Sequence, residues 1–403
     1  MKNNYVFVLN CGSSSIKFAI INLSNCTHIC HGMVSNINLD NCHINYTFKS
    51  EIYGEHINDN SYHNALLAII NIVKQDQVIL KNIIAIGHRV VHGGNIFKAP
   101  SIIDKQNVAE LKQLFELAPL HNPINFLGIE ECLLAFGEIT NIAVFDTSFH
   151  STIPDYAKVI PIKQSIAKKY QVTKYGFHGI SHAYITQIIK KHLNKHTINI
   201  ISAHLGSGCS IAAIKDNKSV DTTMSFTPTS GIMMATRSGD IDPLLHKYLM
   251  SKMNLDIAEF SKLMSTQSGI LGISEISSDM RDIEAEYKKG NENAILALEA
   301  FCYQVAKHIA SLMVPLVKCD AIVFTGGMGE NSSFVRNKIL GHLKFLHVLV
   351  CNSSNDGASK EIVKITLSDS VIPCYVAKTS EEIMIASIAH KVILNNINSG
   401  HKE

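Results

Sequence analysis

One local pattern is used twice in this chain, and it restricts the fold more than any other feature. Val8-Leu-Asn-Cys-Gly-Ser-Ser-Ser-Ile-Lys-Phe-Ala-Ile20 and Ser202-Ala-His-Leu-Gly-Ser-Gly-Cys-Ser-Ile-Ala-Ala-Ile214 each read as apolar strand, small polar turn, apolar strand. Turns built from glycine and serine let backbone N–H groups approach an anion, and Lys17 adds charge beside the first. A third glycine-rich turn, Thr325-Gly-Gly-Met-Gly-Glu-Asn331, follows the apolar run Ala321 to Phe324. The repetition predicts a duplicated fold. The turns predict that it holds a polyphosphate.

At 403 residues the chain exceeds what one core usually supports, so two domains are expected. Apolar residues make up 46% and charged residues 17%, enough to fill two cores. A net charge of +2 without a dense Lys/Arg run argues against nucleic acid as a partner. The ten cysteines follow no disulfide spacing, which suits a reducing cytoplasm. No export signal is read at the N-terminus, and the apolar stretch 294–317 is broken by Glu299, Gln304, Lys307 and His308, so it predicts a buried helix rather than a membrane span.

Helical spacing is read over 61–75, 104–117 and 181–193, and buried strands over 83–91 and 141–145. Residues 198–223 read as three strands with a turn at Asp216-Asn-Lys, and helices dominate from Asp242 to Lys318. A last helix starts after Thr379, where Thr379-Ser-Glu-Glu382 has capping-box spacing. The expected division is 1–150 and 151–381, with the terminal helix 382–403 returning onto the first domain. In open α/β sheets ligands sit at the carboxyl ends of strands, where Arg89 and Asp146 fall.

Several nucleotide motifs are absent: there is no Walker A pattern, no protein-kinase Asp-Phe-Gly, and the glycine turns read as strand-to-strand rather than as a dinucleotide fingerprint. Cys26, His28, Cys30, His31, Cys42 and His43 are metal-ligating types, but they match no common zinc spacing, and strand alternation would split them between faces. His178 and His182 have the i,i+4 spacing of a helical metal site, with no Glu after His178 and no evident third ligand.

The chain resembles the acetate kinase family over essentially its whole length. The resemblance is carried by 8–17, Gly87-His-Arg-Val-Val-His-Gly93, Leu117-Ala-Pro-Leu-His-Asn-Pro123, Phe145-Asp-Thr-Ser-Phe-His150, Tyr175-Gly-Phe-His-Gly-Ile-Ser-His182, Arg237-Ser-Gly-Asp-Ile-Asp-Pro243 and 324–332. It implies a mixed α/β, two-domain duplicated ribonuclease H-like fold of the actin-like ATPase kind, with a central interdomain cleft. It implies reversible transfer of a phosphoryl group between ATP and acetate, giving acetyl phosphate and ADP, with Mg²⁺ or Mn²⁺, in a cytoplasmic homodimer joined through the second domain.

By the same resemblance, Arg89, Asp146, His178 and Arg237 are the catalytic set, and Arg89, Val91, Leu120, His121, Phe177 and Pro228 the substrate set. Asn10 and Glu381 are the metal-side residues. Lys17, His204, Leu205, Gly206, Ser207, Gly208, Asp279, Met280, Arg281, Gly327, Met328, Gly329, Glu330 and Asn331 are the ATP-binding residues.

The chemistry agrees with these residue types. Phosphoryl transfer spreads negative charge over equatorial oxygens, which two arginines, a histidine donor and a divalent cation would stabilise. A short carboxylic acid, with a pKa of roughly 4 to 5, is already ionised at neutral pH, so Asp146 reads as orienting Arg89 or metal-bound water. The chain departs from the family at Ser207, Ser225, Thr229-Ser230, Ala235 and Ser380, and Ser207 stands where an asparagine amide is usual. Two alternatives follow: a kinase for propionate or butyrate, and a nucleotide-binding regulator that has lost turnover.

Overall fold

The computed structural model describes residues 4–104 and 107–400. The chain divides into two compact units, residues 1–149 with 380–403, and residues 150–379. Helix 381–400 thus groups with the first unit.

The first unit is built on β1 (Tyr5–Cys11), β2 (Ser15–Asn22), β3 (Thr27–Ser35), β4 (His43–Phe48), β5 (Glu51–His56), β6 (Ile83–Val90), β7 (Ser101–Ile103) and β8 (Thr140–Phe145). They form one sheet in the order β5-β4-β3-β2-β1-β6-β8-β7. β1 pairs antiparallel with β2 and parallel with β6, which pairs parallel with β8. β1 is buried at nearly every position, as expected for a strand covered on both faces.

Helices α1 (Tyr62–Gln75) and α2 (Asn122–Phe136) help build its core. Ser61 caps α1 by accepting the Asn64 N–H, which leaves Ala65, Leu66, Ile69, Ile70 and Val73 on the buried face. Phe7, Phe18, Ile20, Ile69, Ile86 and Cys132 belong to one buried cluster.

The second unit repeats the arrangement. β9 (Ile200–Leu205), β10 (Cys209–Lys215), β11 (Lys218–Thr222), β12 (Ala321–Thr325), β13 (Ile362–Lys364) and β14 (Cys374–Ala377) form a sheet in the order β11-β10-β9-β12-β14-β13. The β3-β2-β1-β6-β8 core of the first sheet and the β11-β10-β9-β12-β14 core of the second have the same order and the same parallel and antiparallel pairings. That is the ribonuclease H-like plan, present twice, as the repeated strand–turn–strand pattern predicts.

Around the second sheet lie α3 (Gly179–His192), α4 (Met280–Lys288), α5 (Glu292–Ser311), α6 (Gly326–Asn331) and α7 (Ser333–His342). Helix α8 (Glu381–Gly400) packs on β1, β2, β6 and β8 of the first unit. Gly87 permits this approach, because a Cβ there would lie 2.6 Å from the Ile385 side chain. No helix among the described residues is long and apolar enough to cross a membrane.

Four expectations are corrected. The helical spacing over 104–117 yields only a short helix, Val108–Lys112, with residues 105 and 106 outside the described residues. Beyond Lys112 the chain closes i→i+3 turns, and the Leu114 carbonyl accepts from the Asn122 side chain, so tertiary bonding replaces the helical ladder. The turn after β12 opens helix α6 rather than a second strand. Thr379 does not cap α8, which starts at Glu381; its hydroxyl meets Ser181 Oγ at 2.9 Å.

The fourth correction concerns the histidines of β3. A bulge opposite Ile20 and Ile21 breaks the alternation, and the His28 and His31 rings come to 5.1 Å. Cys30 and Cys42 are buried, and no metal-binding group of three or more His, Cys, Asp or Glu occurs among the described residues. All ten cysteines are free thiols.

Candidate active site

In the first unit the candidate side chains emerge where β1, β6 and β8 end and α8 begins. Arg89 near the end of β6 grips Asp146 just beyond β8: Nη2 donates to Oδ2 at 2.7 Å and Nε to Oδ1 at 3.1 Å. Its Nη1 donates to Asn10 Oδ1 at 3.2 Å, and its Nε lies 3.8 Å from Glu381 Oε2. Three other candidates far apart in the sequence, Asn10, Asp146 and Glu381, therefore converge on the Arg89 guanidinium.

The electrostatics are those of a shielded cluster. Burial disfavours the Arg89 cation, but Asp146 and then Glu381 reverse this and hold its pKa above the ordinary arginine value. The Glu381 carboxyl is pushed up: burial and the Asp146 charge outweigh the attraction of Arg89 and Lys17. Lys17 pairs in register with Asn10 and lines a concavity of about 440 Å³ with His28, His31, Tyr46 and Glu382.

The segment after β6 is clamped by two asparagines of α2. Asn122 accepts from the His92 N–H at 3.1 Å and donates to the His92 carbonyl at 3.0 Å. Asn125 accepts from the Val91 N–H at 3.0 Å and donates to the Cys11 carbonyl at 2.7 Å, tying the β6 segment to the first glycine turn. Val91 is nearly buried, whereas Leu120 is 65% exposed. His121 immediately precedes α2, and its carbonyl accepts from Asn125 N–H.

In the second unit the turn between β9 and β10 is closed by Gly206 N–H donating to the Gly208 carbonyl. A Cβ at Gly208 would lie 3.3 Å from His178 Nε2 and 3.5 Å from Arg237 Nη1, so both side chains approach this turn. Arg237 Nη1 also donates to the Pro228 carbonyl at 3.0 Å. His178 precedes α3 in the left-handed region, φ 55°, and its ring lies 4.5 Å from that of His204, tilted by 31°. His204 Nδ1 meets Ser181 Oγ at 2.9 Å.

A cavity of about 520 Å³ is lined by Gly206, Ser207, Asp279, Met280, Arg281, Gly327, Met328 and Asn331, all from the expected nucleotide set. Ala235, Ser278, Glu284 and Ser332 also line it. Asp279 caps α4 through the Arg281 N–H and is held to about 2 by hydrogen bonds from Arg281.

Other members of the set have different surroundings. Leu205 is in the core, and Gly329 packs beneath against Phe324. Glu330 Oε1 accepts from Gly326 N–H, Thr379 N–H and Thr325 Oγ1, which makes it a brace of the turn. Phe177 is buried, and its carbonyl lies 2.9 Å from His150 Nε2.

Sequence reasoning missed the buried Arg336. Its guanidinium donates to the Gly329 and Glu330 carbonyls and to Asn355, capping the end of α6, while burial lowers its pKa to about 10. An arginine three residues into an otherwise ordinary helix gives no local sign of this. Asn122 lies inside a motif already singled out, but Asn125 needed the α2 start to be known.

The duplicated plan, with glycine turns at the strand ends and a cavity lined by them, is that of the actin-like ATPase fold, and the relatives the chain matches make it an ATP-dependent phosphotransferase of that fold. Within that class the chain belongs to the acetokinase family, which it matches over residues 5–387. The acetate kinase of Shewanella baltica is 40% identical over 98% of this chain and all of its own length. That of Caldicellulosiruptor saccharolyticus is 40% identical over 94% of this chain and 97% of its own. Among solved structures, Francisella tularensis propionate kinase has a TM-score of 0.91 at 38% identity, covering 96% of this chain and 99% of its own. Porphyromonas gingivalis acetate kinase has a TM-score of 0.89 at 34%, covering 97% and 100%.

Proposed function

We propose that this protein transfers a phosphoryl group reversibly between ATP and acetate, giving acetyl phosphate and ADP. The observation that carries the reading is membership of the acetokinase family along nearly the whole chain. In the first unit, both Asp146 oxygens already receive Arg89 N–H groups, so Asp146 orients the arginine and takes no proton from the acid. The acid needs none removed, since a short carboxylate is ionised at neutral pH. Arg89 and, in the second unit, Arg237 supply positive charge, and His178 an N–H, for the oxygens of the transferring group.

Asn10 and Glu381 would hold the divalent cation. Both offer oxygen and both lie at Arg89, a donor set that suits Mg²⁺ or Mn²⁺. Bound there, the cation would neutralise phosphate charge on the nucleotide. The adenine nucleotide is assigned to the 520 Å³ cavity of the second unit, with Lys17 of the first unit a further ATP contact and Glu330 shaping the turn.

Val91, Leu120 and His121 of the first unit, with Phe177 and Pro228 of the second, are assigned to recognition of the acid. A homodimer through the second unit is supported by helix 245–253, which has no buried residue and leaves Tyr248 and Met253 exposed, with Leu244 exposed just before it. The cytoplasm is the proposed location.

The similar Francisella structure, a propionate kinase, favours a second reading in which propionate is the better acid. Hydroxylamine trapping of the acyl phosphate, with ATP, Mg²⁺ and a panel of acetate, propionate and butyrate, separates the readings. The highest kcat/KM is expected for acetate. A higher value for propionate selects the second reading, and no hydroxamate with any acid refutes both.

A further inference from the structure

Behind His178 lies a file of side chains that the reaction as described does not use. His178 Nδ1 is 2.9 Å from Ser210 Oγ; the same oxygen is 2.9 Å from His182 Nε2, and His182 Nδ1 is 2.9 Å from Ser202 Oγ. Ser202, Ser210 and His182 are all fully buried. Strands β9 and β10 present the two serines, α3 presents His182, and His178 stands at the cap position just before that helix.

Hydrogen counting restricts what this file can be. Burial, with His150 and His204 nearby, holds His182 well below the ordinary histidine pKa, so its ring is neutral and carries one N–H. Each serine hydroxyl also carries one hydrogen. With the Ser210 hydroxyl donating within the file, the file runs one way or the other.

If it ran outward to inward, neutral His178 would donate from Nδ1 and turn a bare Nε2 towards the glycine turn. That nitrogen could not donate to a phosphate oxygen unless His178 became a cation, and Arg237 Nη1 approaches the same Gly208 position. The opposite direction provides a donor without adding charge beside the arginine.

We propose that Ser202, His182 and Ser210 are positioning residues that fix His178 as its Nε2–H tautomer. The Ser202 hydroxyl donates to His182 Nδ1, His182 Nε2–H donates to Ser210 Oγ, and the Ser210 hydroxyl donates to His178 Nδ1. The outer nitrogen is thereby held as a donor next to the turn closed by Gly206 and Gly208. This rests on the reading that His178 takes part in phosphoryl transfer.

The test has two arms on the full-length protein. Long-range ¹⁵N–¹H correlation of ¹⁵N-histidine-labelled protein at neutral pH, with the His178→Ala spectrum assigning the signals, should show protonated Nε2 and bare Nδ1 on His178. A protonated Nδ1 overturns the proposal whatever the kinetics.

In the second arm, Ser210→Ala should lower kcat about 10-fold, the scale of one lost donor geometry, with KM for MgATP and acetate changed by no more than a few-fold. Ser210→Thr, which keeps the hydroxyl, should restore most of the loss. Placed on His178→Ala, Ser210→Ala should cost little more, because the residue it acts through is gone. An equal loss in both backgrounds makes Ser210 merely structural and overturns the proposal. A normal kcat for His178→Ala refutes instead the catalytic reading of His178. If Ser210→Ala fails to fold, the tautomer measurement on the unaltered protein decides.

Discussion

Asp146→Asn isolates what the carboxylate does for Arg89. The substitution keeps the shape, but one of the two acceptors becomes an NH₂ facing a guanidinium N–H, and the negative charge is lost. The Asp146 side chain is 2% exposed, so water cannot take over the lost bond. Breaking a buried ion pair by removing one partner costs roughly 3–5 kcal/mol. Arg89 is 21% exposed and keeps Glu381 at 3.8 Å, which sets the loss near the lower end, about 3 kcal/mol.

Displacing a guanidinium by about 1 Å is enough to lose about 10²-fold in rate. The expected result is therefore a kcat about 10²-fold lower, with both limbs of the pH profile in the acetate-phosphorylating direction retained. Hydroxamate formation across neutral pH measures both, and urea unfolding measures the stability term. A kcat within a few-fold of the unaltered protein, or the disappearance of one limb, would refute the orienting role.

His88 is buried against Asn141 Oδ1 at 2.7 Å, and burial lowers its pKa from 6.5 to about 4. The unfolded chain then binds the extra proton first, so this stability is intact above the unfolded value of 6.5 and is lost as pH falls towards 4, about 2 kcal/mol being gone by about pH 5. His88→Gln should flatten that part of the urea-unfolding stability curve, and an unchanged slope would contradict the assignment. Ser207 lines the 520 Å³ cavity proposed for the nucleotide with an exposed side chain, so Ser207→Asn should tighten MgATP binding a few-fold, about one ordinary hydrogen bond; weaker binding would show a loop adapted to serine. Val91→Ala should raise the propionate-to-acetate ratio of kcat/KM about 10-fold, the scale of one methylene. An unchanged ratio removes Val91 from acid recognition.

Local signals carried much of the architecture. Alternation and apolar runs mark β1, β2, β6, β8 and β9 to β12, because a strand covered by helices must be apolar along its length. The repeated strand–turn–strand pattern announces two copies of one sheet order, and Ser61 announces α1, since a cap is chemistry between residues three apart. The site types were legible too, as Arg89 and Asp146 stand at the ends of strands that their neighbours already define.

Contacts across long sequence separations had no such signature. The Asp104–Leu117 spacing looks helical, but Asn122 takes the Leu114 carbonyl; the β3 bulge turns His28 and His31 together; Glu330 and Arg336 brace a turn through groups up to 49 residues away. The sequence by itself determined which segments are strands and helices and which chemical groups stand at their ends, because burial periodicity and capping act over a few residues. Only the tertiary structure decided which carboxylate holds Arg89, which carbonyls Arg336 caps and which serine stands behind His178, because a buried polar group must find its partner wherever the folded chain brings one.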